Sequence, residues 1–167
     1  MLKKSIALGT LVVVALISMF SLRPLSDSYN DKDLNAFSID NALLHINQIA
    51  NSPHHASHPN HEAVKNYILS YLNKLGLETQ IQEGFSHNPK WKSVVYNKNI
   101  LARIKGTSNT KALMLLSHYD SNPHSAPGAS DAAVGVATIL EGLRAYLHQE
   151  KKPKNDIIIL LTDNEEL

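Results

Sequence analysis

The first apolar block in the chain is continuous. No charged residue interrupts the run from Ser5 to Leu22, which is preceded by Lys3 and Lys4 and followed by Arg23. About 18 apolar residues lie near the lower limit for a helix that crosses the hydrocarbon core. The periodicity then becomes helical. "DNALLHINQIA" (40–50) spaces Leu43, Leu44, Ile46 and Ile49 along a helix, with Asp40 as the expected cap. "SPHHASHPNHEA" reads as a loop entering a second helix near Asn60, which carries Val64, Tyr67, Ile68, Tyr71, Leu72 and Leu75 on one face and stops at Gly76. Beyond it the period shortens to two. "LETQIQE" alternates as an outer strand, and "NILARIKG" (99–106) and "KALMLLSHYD" (111–120) read as strands joined by a Gly-Thr-Ser-Asn turn. Asp131 to about His148 returns to helical spacing, and Asp156–Thr162 is an unbroken apolar strand.

Apolar strands alternating with helices predict an α/β domain with a mixed, largely parallel central sheet flanked by helices. The expected organisation is a cytoplasmic tail (1–4), a signal-anchor transmembrane helix (5–22), a linker (23–39) marked by Asp27, Asp31 and Asp33, and the folded domain (40–167). A cleaved signal peptide would have a shorter apolar core and a small-residue cleavage site, whereas Leu22, Arg23, Pro24 and Leu25 follow here. A buried core helix fits poorly with a run that is apolar on every face. Lys3 and Lys4 predict a cytoplasmic N-terminus, which puts the domain outside the cytoplasm, in a periplasm, extracellular space or lumen.

Composition narrows the chemistry. The 167 residues are 43% hydrophobic and 19% charged, enough for one core with an appendage. A net charge of +1 without a basic run makes nucleic acid a poor partner. The absence of cysteine excludes disulfides, thiolate metal sites and cysteine nucleophiles. The placement of nine histidines then carries the interest.

In a sheet of this kind, function collects where strands end at their carboxyl edge. His118 and Asp120 end the "ALMLL" strand in "SHYDS"; Asp131 begins a helix in "GASDAAVG"; Glu165 and Glu166 follow "IIILL" in "TDNEEL". Imidazole and carboxylates suit zinc, and a carboxylate can bridge two ions. Alone, each piece has a blander explanation: a surface turn for His118 and Asp120, a helix cap for Asp131 (a role open to Ser130 as well), a solvated strand exit for the glutamates. Their combination on successive strand ends is what points to a site.

"LLSHYDS…GASDAAVGVATILE…IIILLTDNEEL", with "NILARIKGT" and "HEAVKNYILSYLNKLGLE" upstream, resembles zinc aminopeptidase family twenty-eight of the metallopeptidases, the type that includes bacterial leucyl aminopeptidases and the endoplasmic-reticulum metallopeptidase. The resemblance spans about residues 40–167. It implies a phosphorylase/hydrolase-like zinc exopeptidase fold, two zinc ions and a peptide substrate. It further implies that His118 ligates one zinc, Asp120 orients His118 through its other ring nitrogen, Asp131 bridges both ions, Glu165 is the general base and Glu166 ligates the second zinc. The family pattern includes a further carboxylate and a further histidine downstream. The chain is therefore expected to be the N-terminal part of a longer reading frame or a truncated product, binding zinc poorly and inactive by itself.

Other features are discounted. His54, His55, His58 and His61 are expected to form a solvated loop, broken by Pro53 and Pro59. His124 is expected to be a bystander near the site; Tyr67, Tyr71 and Trp91 are expected to face the core. A related co-catalytic zinc carboxypeptidase or deacylase, a glutaminyl cyclase, and a non-catalytic membrane-bound relative are the competing readings; the "SDAAVG" start and the short spacing to the glutamates favour the aminopeptidase.

Overall fold

The structure, a computed structural model, describes residues 2–22, 33–90, 92–108, 111–125 and 127–167, with nothing said of the Leu2 side chain. The readings placed on Arg23, Asp27, Asp31, Trp91 and Asn109 lie outside the described residues. The chain divides into two units, residues 1–30 and 31–167.

The first unit holds helix α1 (Leu2–Ser21). Its Lys3–Ser21 stretch has a mean hydropathy of 1.9, and none of it is buried. It is long and apolar enough to cross a membrane by length and composition.

The second unit begins with α2 (Ile39–Ile49), then α3 (Asn60–Lys74). The cap of α2 is Ser38, not Asp40: the Ser38 hydroxyl accepts from Asn41 N at 3.1 Å. Ser38 can take that place because its extended backbone precedes the first turn, whereas Asp40 already lies inside the helix. α3 ends as its Gly76 predicts. Gly76 adopts φ +78°, and Leu77 N donates back to Leu72 O at 3.1 Å, satisfying a carbonyl of the last turn.

Four strands follow: β1 (Thr79–Asn88), β2 (Ser93–Ile104), β3 (Ala112–His118) and β4 (Asp156–Thr162), with α4 (Val134–His148) between the last two. They form one mixed sheet in the order β1-β2-β4-β3. β1 pairs with β2 and β2 with β4 antiparallel, while β3 and β4 run parallel. Only one described pairing is thus parallel, and β2 and β3 are consecutive without being neighbours. β4 lies between them, and Ile159 and Leu161 of its Ile/Leu run are fully buried on one face of the sheet. The strand is fixed to its crossover partner by α4, whose Val136, Ala137 and Leu140 are also fully buried. α2 and α3 bring Ile49, Val64, Ile68 and Leu72 into the same core, against Ile100 of β2. Tyr67 and Tyr71 pack at its margin, as their helical spacing predicts.

Glu141 ties α4 to the segment before α2. Its buried carboxylate accepts from Ser38 N at 2.6 Å and from Arg144 at 2.7 and 2.8 Å. Arg144 also donates to Leu34 O and Ala36 O, each at 2.7 Å. The charge-assisted bonds satisfy a carboxylate that would otherwise be costly to bury.

Candidate metal centre

Parallel pairing sets His118 of β3 opposite Thr162 of β4, and Tyr119 N donates to Thr162 O at 3.0 Å. The two strands therefore end together, and their exits share one edge. One ligand atom each from His118, Glu165 and Glu166 lies within 4.8 Å of the others. Asp131 reaches the group through His118, with its Oδ1 3.0 Å from His118 Nε2. The same nitrogen and oxygen donors that here hydrogen-bond to each other are of the type zinc accepts. The donor set fits the metal.

The loop between β3 and α4 explains where Asp131 sits. Gly128 takes φ +78°, and a Cβ there would stand 2.7 Å from Asp131 O, so a side chain is excluded on two grounds. A wide helical turn, Ala129–Ala133, then delivers the chain to α4, with a cis peptide between Asp131 and Ala132. Asp131 has φ −135° and ψ 95°, outside helical geometry, and its side chain turns to His118. The blander role of helix cap is not the one it plays.

Asp120 does two things. Its carboxylate lies 3.4 Å from His118 Nδ1, and its backbone carbonyl lies 3.1 Å from the same atom. Its carboxylate oxygens also accept from Glu165 N at 3.1 Å and Glu166 N at 3.2 Å. A single buried side chain thus contacts the imidazole and both amides of the glutamate pair. Burial pushes the Asp120 carboxyl above its ordinary range, opposed by those two backbone bonds and by His118. Burial pulls the His118 imidazolium down, but the Asp131 hydrogen bond and the charges of Asp120 and Glu165 together prevail and raise it. Glu165 is exposed and Glu166 half-buried, with Glu166 Oε2 accepting from Asn122 Nδ2 at 2.8 Å. Beside them opens a cavity of about 510 Å³ lined by Asn88, Ser93, Asn122, His124, Glu165 and Glu166. His124 therefore lines the concave surface at the site.

The histidine loop departs from expectation. His54 and His61 are buried, at 1% and 4% exposure. The loop passes under the sheet edge, where His54 N donates to Ser121 Oγ at 2.8 Å, while His55 and His58 stay partly exposed on its outer side. Burial lowers the His54 pKa. His61 Nε2 lies 2.8 Å from Asp163 Oδ1, and its ring stacks on Tyr119 at 5.3 Å. Neither His61 nor Asp163 is prominent in a motif reading. A signal existed nonetheless, since His61, Val64, Ile68 and Leu72 fall on one helical stripe and all four are buried.

Residues 99–167 match the model of Peptidase family M28. The match runs from within β2 through both strand exits described above to the glutamate pair. A vacuolar membrane protease of Candida tropicalis is 34% identical over 138 residues, covering 77% of this chain and 15% of that protein. Among solved structures, a glutaminyl cyclase of Porphyromonas gingivalis superposes with a TM-score of 0.69 at 27% identity, over 78% of this chain and 46% of the other. A leucine aminopeptidase precursor of Bacteroides thetaiotaomicron gives 0.67 at 27%, over 80% and 49%. A Zn-dependent exopeptidase of Parabacteroides distasonis gives 0.66 at 26%, over 80% and 49%. The chain thus spans about half the length of these M28-like structures and a much smaller part of the curated membrane protease. Zinc is the metal that both the family and these neighbours imply.

Proposed function

We propose that this chain supplies the first part of a zinc aminopeptidase centre, in which His118, Asp131 and Glu166 hold metal and Glu165 is the general base. The observation that carries the reading is the convergence of His118, Glu165 and Glu166 ligand atoms within 4.8 Å, with Asp131 joined to His118, at the ends of two parallel strands. Two zinc ions are the expected complement, with Asp131 shared between them. When bound, zinc supplies a Lewis acid that polarises a carbonyl and makes water acidic near neutral pH.

The residues of the chain do the rest. Asp120 restrains the imidazole of His118 from the Nδ1 side, leaving Nε2 toward the centre. It also holds the amides of Glu165 and Glu166, so the two carboxylates leave one turn toward the same space. Glu165, the more exposed of the pair, is placed to take a proton from water and return it to the departing amine. Asn122 restrains Glu166 by donating to Oε2. The cavity beside Glu165 gives a peptide N-terminus room to enter.

The 167 residues offer His118, Asp131 and Glu166 as ligands, and two zinc ions need more donors than these. The chain alone should therefore bind zinc weakly and show no measurable hydrolysis. Helix α1 is proposed as a single membrane anchor, with the catalytic domain outside the cytoplasm. The likeness to the glutaminyl cyclase favours a second reading, N-terminal cyclisation at a single zinc, and N-blocked peptides would report a carboxypeptidase or deacylase.

The test is hydrolysis of leucyl anilide by a polypeptide carrying this segment with a complete ligand set. Glu165→Gln is expected to reduce turnover by a factor of about 10² to 10⁴. Cyclisation of glutaminyl peptides without anilide hydrolysis would establish the second reading instead. Hydrolysis by the 167-residue chain alone, abolished by Glu165→Gln, would overturn the proposed need for more ligands.

A further inference from the structure

The turn that carries Glu165 and Glu166 is gripped from below as well as from Asp120. Asp163 is the last residue before it, and its side chain is fully buried. One carboxylate oxygen meets His61 Nε2 at 2.8 Å; the other accepts from Lys98 N at 2.9 Å. Asp163 N in turn donates to Asn99 Oδ1 at 2.9 Å. Tyr119, between His118 and Asp120 in sequence, stacks on His61 and donates its hydroxyl to Lys98 O at 2.9 Å. Asn164, in left-handed geometry at φ 59°, donates to Asn97 Oδ1 at 2.9 Å. The path of the chain from β4 into the glutamate pair is thus fixed by side chains from α3, β2 and β3.

We infer that His61 is a positioning residue: by donating from the first turn of α3 to Asp163, it sets the conformation of the turn that presents Glu165 and Glu166. Its place explains why a histidine, rather than an aliphatic residue, occupies the stripe of Val64, Ile68 and Leu72. A hydrocarbon at that point would remove the His61 donor from a buried carboxylate, a cost of the kind that makes a local segment rearrange. Tyr119 holds the ring flat from one side. The inference rests on the metal-centre reading only for the second of its two readouts.

The first readout is amide hydrogen exchange in the metal-free full chain in detergent micelles. His61→Ala is expected to speed exchange at the Glu165 and Glu166 amides at least tenfold relative to Ile159 and Leu140. His61→Gln, whose side-chain amide can donate from a similar position, should stay within about threefold of the parent. The second readout is titration with cobalt(II) as the metal probe, followed by visible absorption. His61→Ala should weaken binding about tenfold, in the range expected when a residue orienting a ligand is lost, and His61→Gln should restore it. Unchanged exchange at Glu165 and Glu166 in His61→Ala would overturn the inference. So would equal acceleration at Ile159, or a glutamine variant as impaired as the alanine. If His61→Ala fails to fold, His61→Phe decides, because phenylalanine keeps a ring against Tyr119 and cannot donate to Asp163. Selective acceleration at the glutamate amides supports the inference, and parent-like protection refutes it. Absence of cobalt binding in a parent polypeptide that carries this segment with a complete ligand set, with the exchange pattern as stated, would remove the metal-centre reading and leave the positioning role standing.

Discussion

At the end of β4, residues Asp163–Glu166 are fastened on two sides, by His61 and Lys98 below and by the carboxylate of Asp120 beside them. After β3, by contrast, Asp131 projects with a side chain 76% exposed, and its recorded side-chain partner is His118. The difference has a chemical sense. In the proposed centre, a base at Glu165 and a ligand at Glu166 would have to point apart, which fixed backbone amides secure. A carboxylate at Asp131 shared by two ions would be located by the ions themselves. The pinned turn should therefore govern stability as well as metal binding, whereas Asp131 should govern metal binding alone.

Removing the shared anchor tests this contrast most severely. Asp120→Ala strips both acceptors from the Glu165 and Glu166 amides in a buried setting, and should cost roughly 2–4 kcal/mol in urea unfolding. A loss below about 0.5 kcal/mol would show that the turn holds itself. Gly128→Ala comes next. The new Cβ would meet Asp131 O at 2.7 Å with the backbone at positive φ, so a loss of about 1–3 kcal/mol is expected, with Asp131 displaced. An unaffected stability would mean that the loop reaches its position by another path.

A smaller effect should come from pH in the presence of chelator. Burial lowers the pKa of both His45 and His54. The unfolded chain binds a proton near pH 6.5 while the folded chain resists it, so these two groups make stability fall as pH drops below about 6.5. His118 works the other way. Its raised pKa gives a contribution fully present below about pH 6.5 and lost as pH rises through the folded value. The acid loss from His54 is read by comparing the urea midpoints of the parent and His54→Gln between about pH 7 and 5.5. The variant should lose less stability toward acid than the parent, and an unchanged pH dependence would contradict the assignment. The least effect on stability is expected of Asp131→Asn, within about 0.5 kcal/mol as for other exposed positions. The same variant should weaken cobalt binding about tenfold, and a reversal of those two outcomes would erase the distinction between the loops.

Much of this arrangement could be read from residues alone. The unbroken Ile/Leu run of β4 announces a central strand, and the ends of two such strands put His118 beside Glu165 and Glu166. Pairing order could not be read. Nothing in "NILARIKG" says that β4 will lie between β2 and β3, because strand neighbours are chosen by the whole sheet. The cap of α2 is not legible in the residues, since Ser38 and Asp40 are both suitable types and only the backbone direction at the helix start separates them. The burial of the histidines is hidden for a related reason. Two prolines do mark a loop, but burial of His54 depends on what that loop crosses, here Ser121, and burial of His61 on what the first turn of α3 meets, here Asp163. The buried polar support under the glutamates is spread over α3, β2 and β3, so no short motif contains it.

The central claim is that His118, with Asp131 and the glutamate pair, is where this chain binds zinc. X-ray absorption at the zinc edge, on the concentrated chain in large excess over zinc, addresses that directly. The account predicts a nitrogen/oxygen shell with an imidazole contribution that disappears in His118→Ala and persists in a His55→Ala, His58→Ala double variant. Imidazole scattering that survives in His118→Ala and vanishes in the double variant would place the metal on the histidine loop and contradict it.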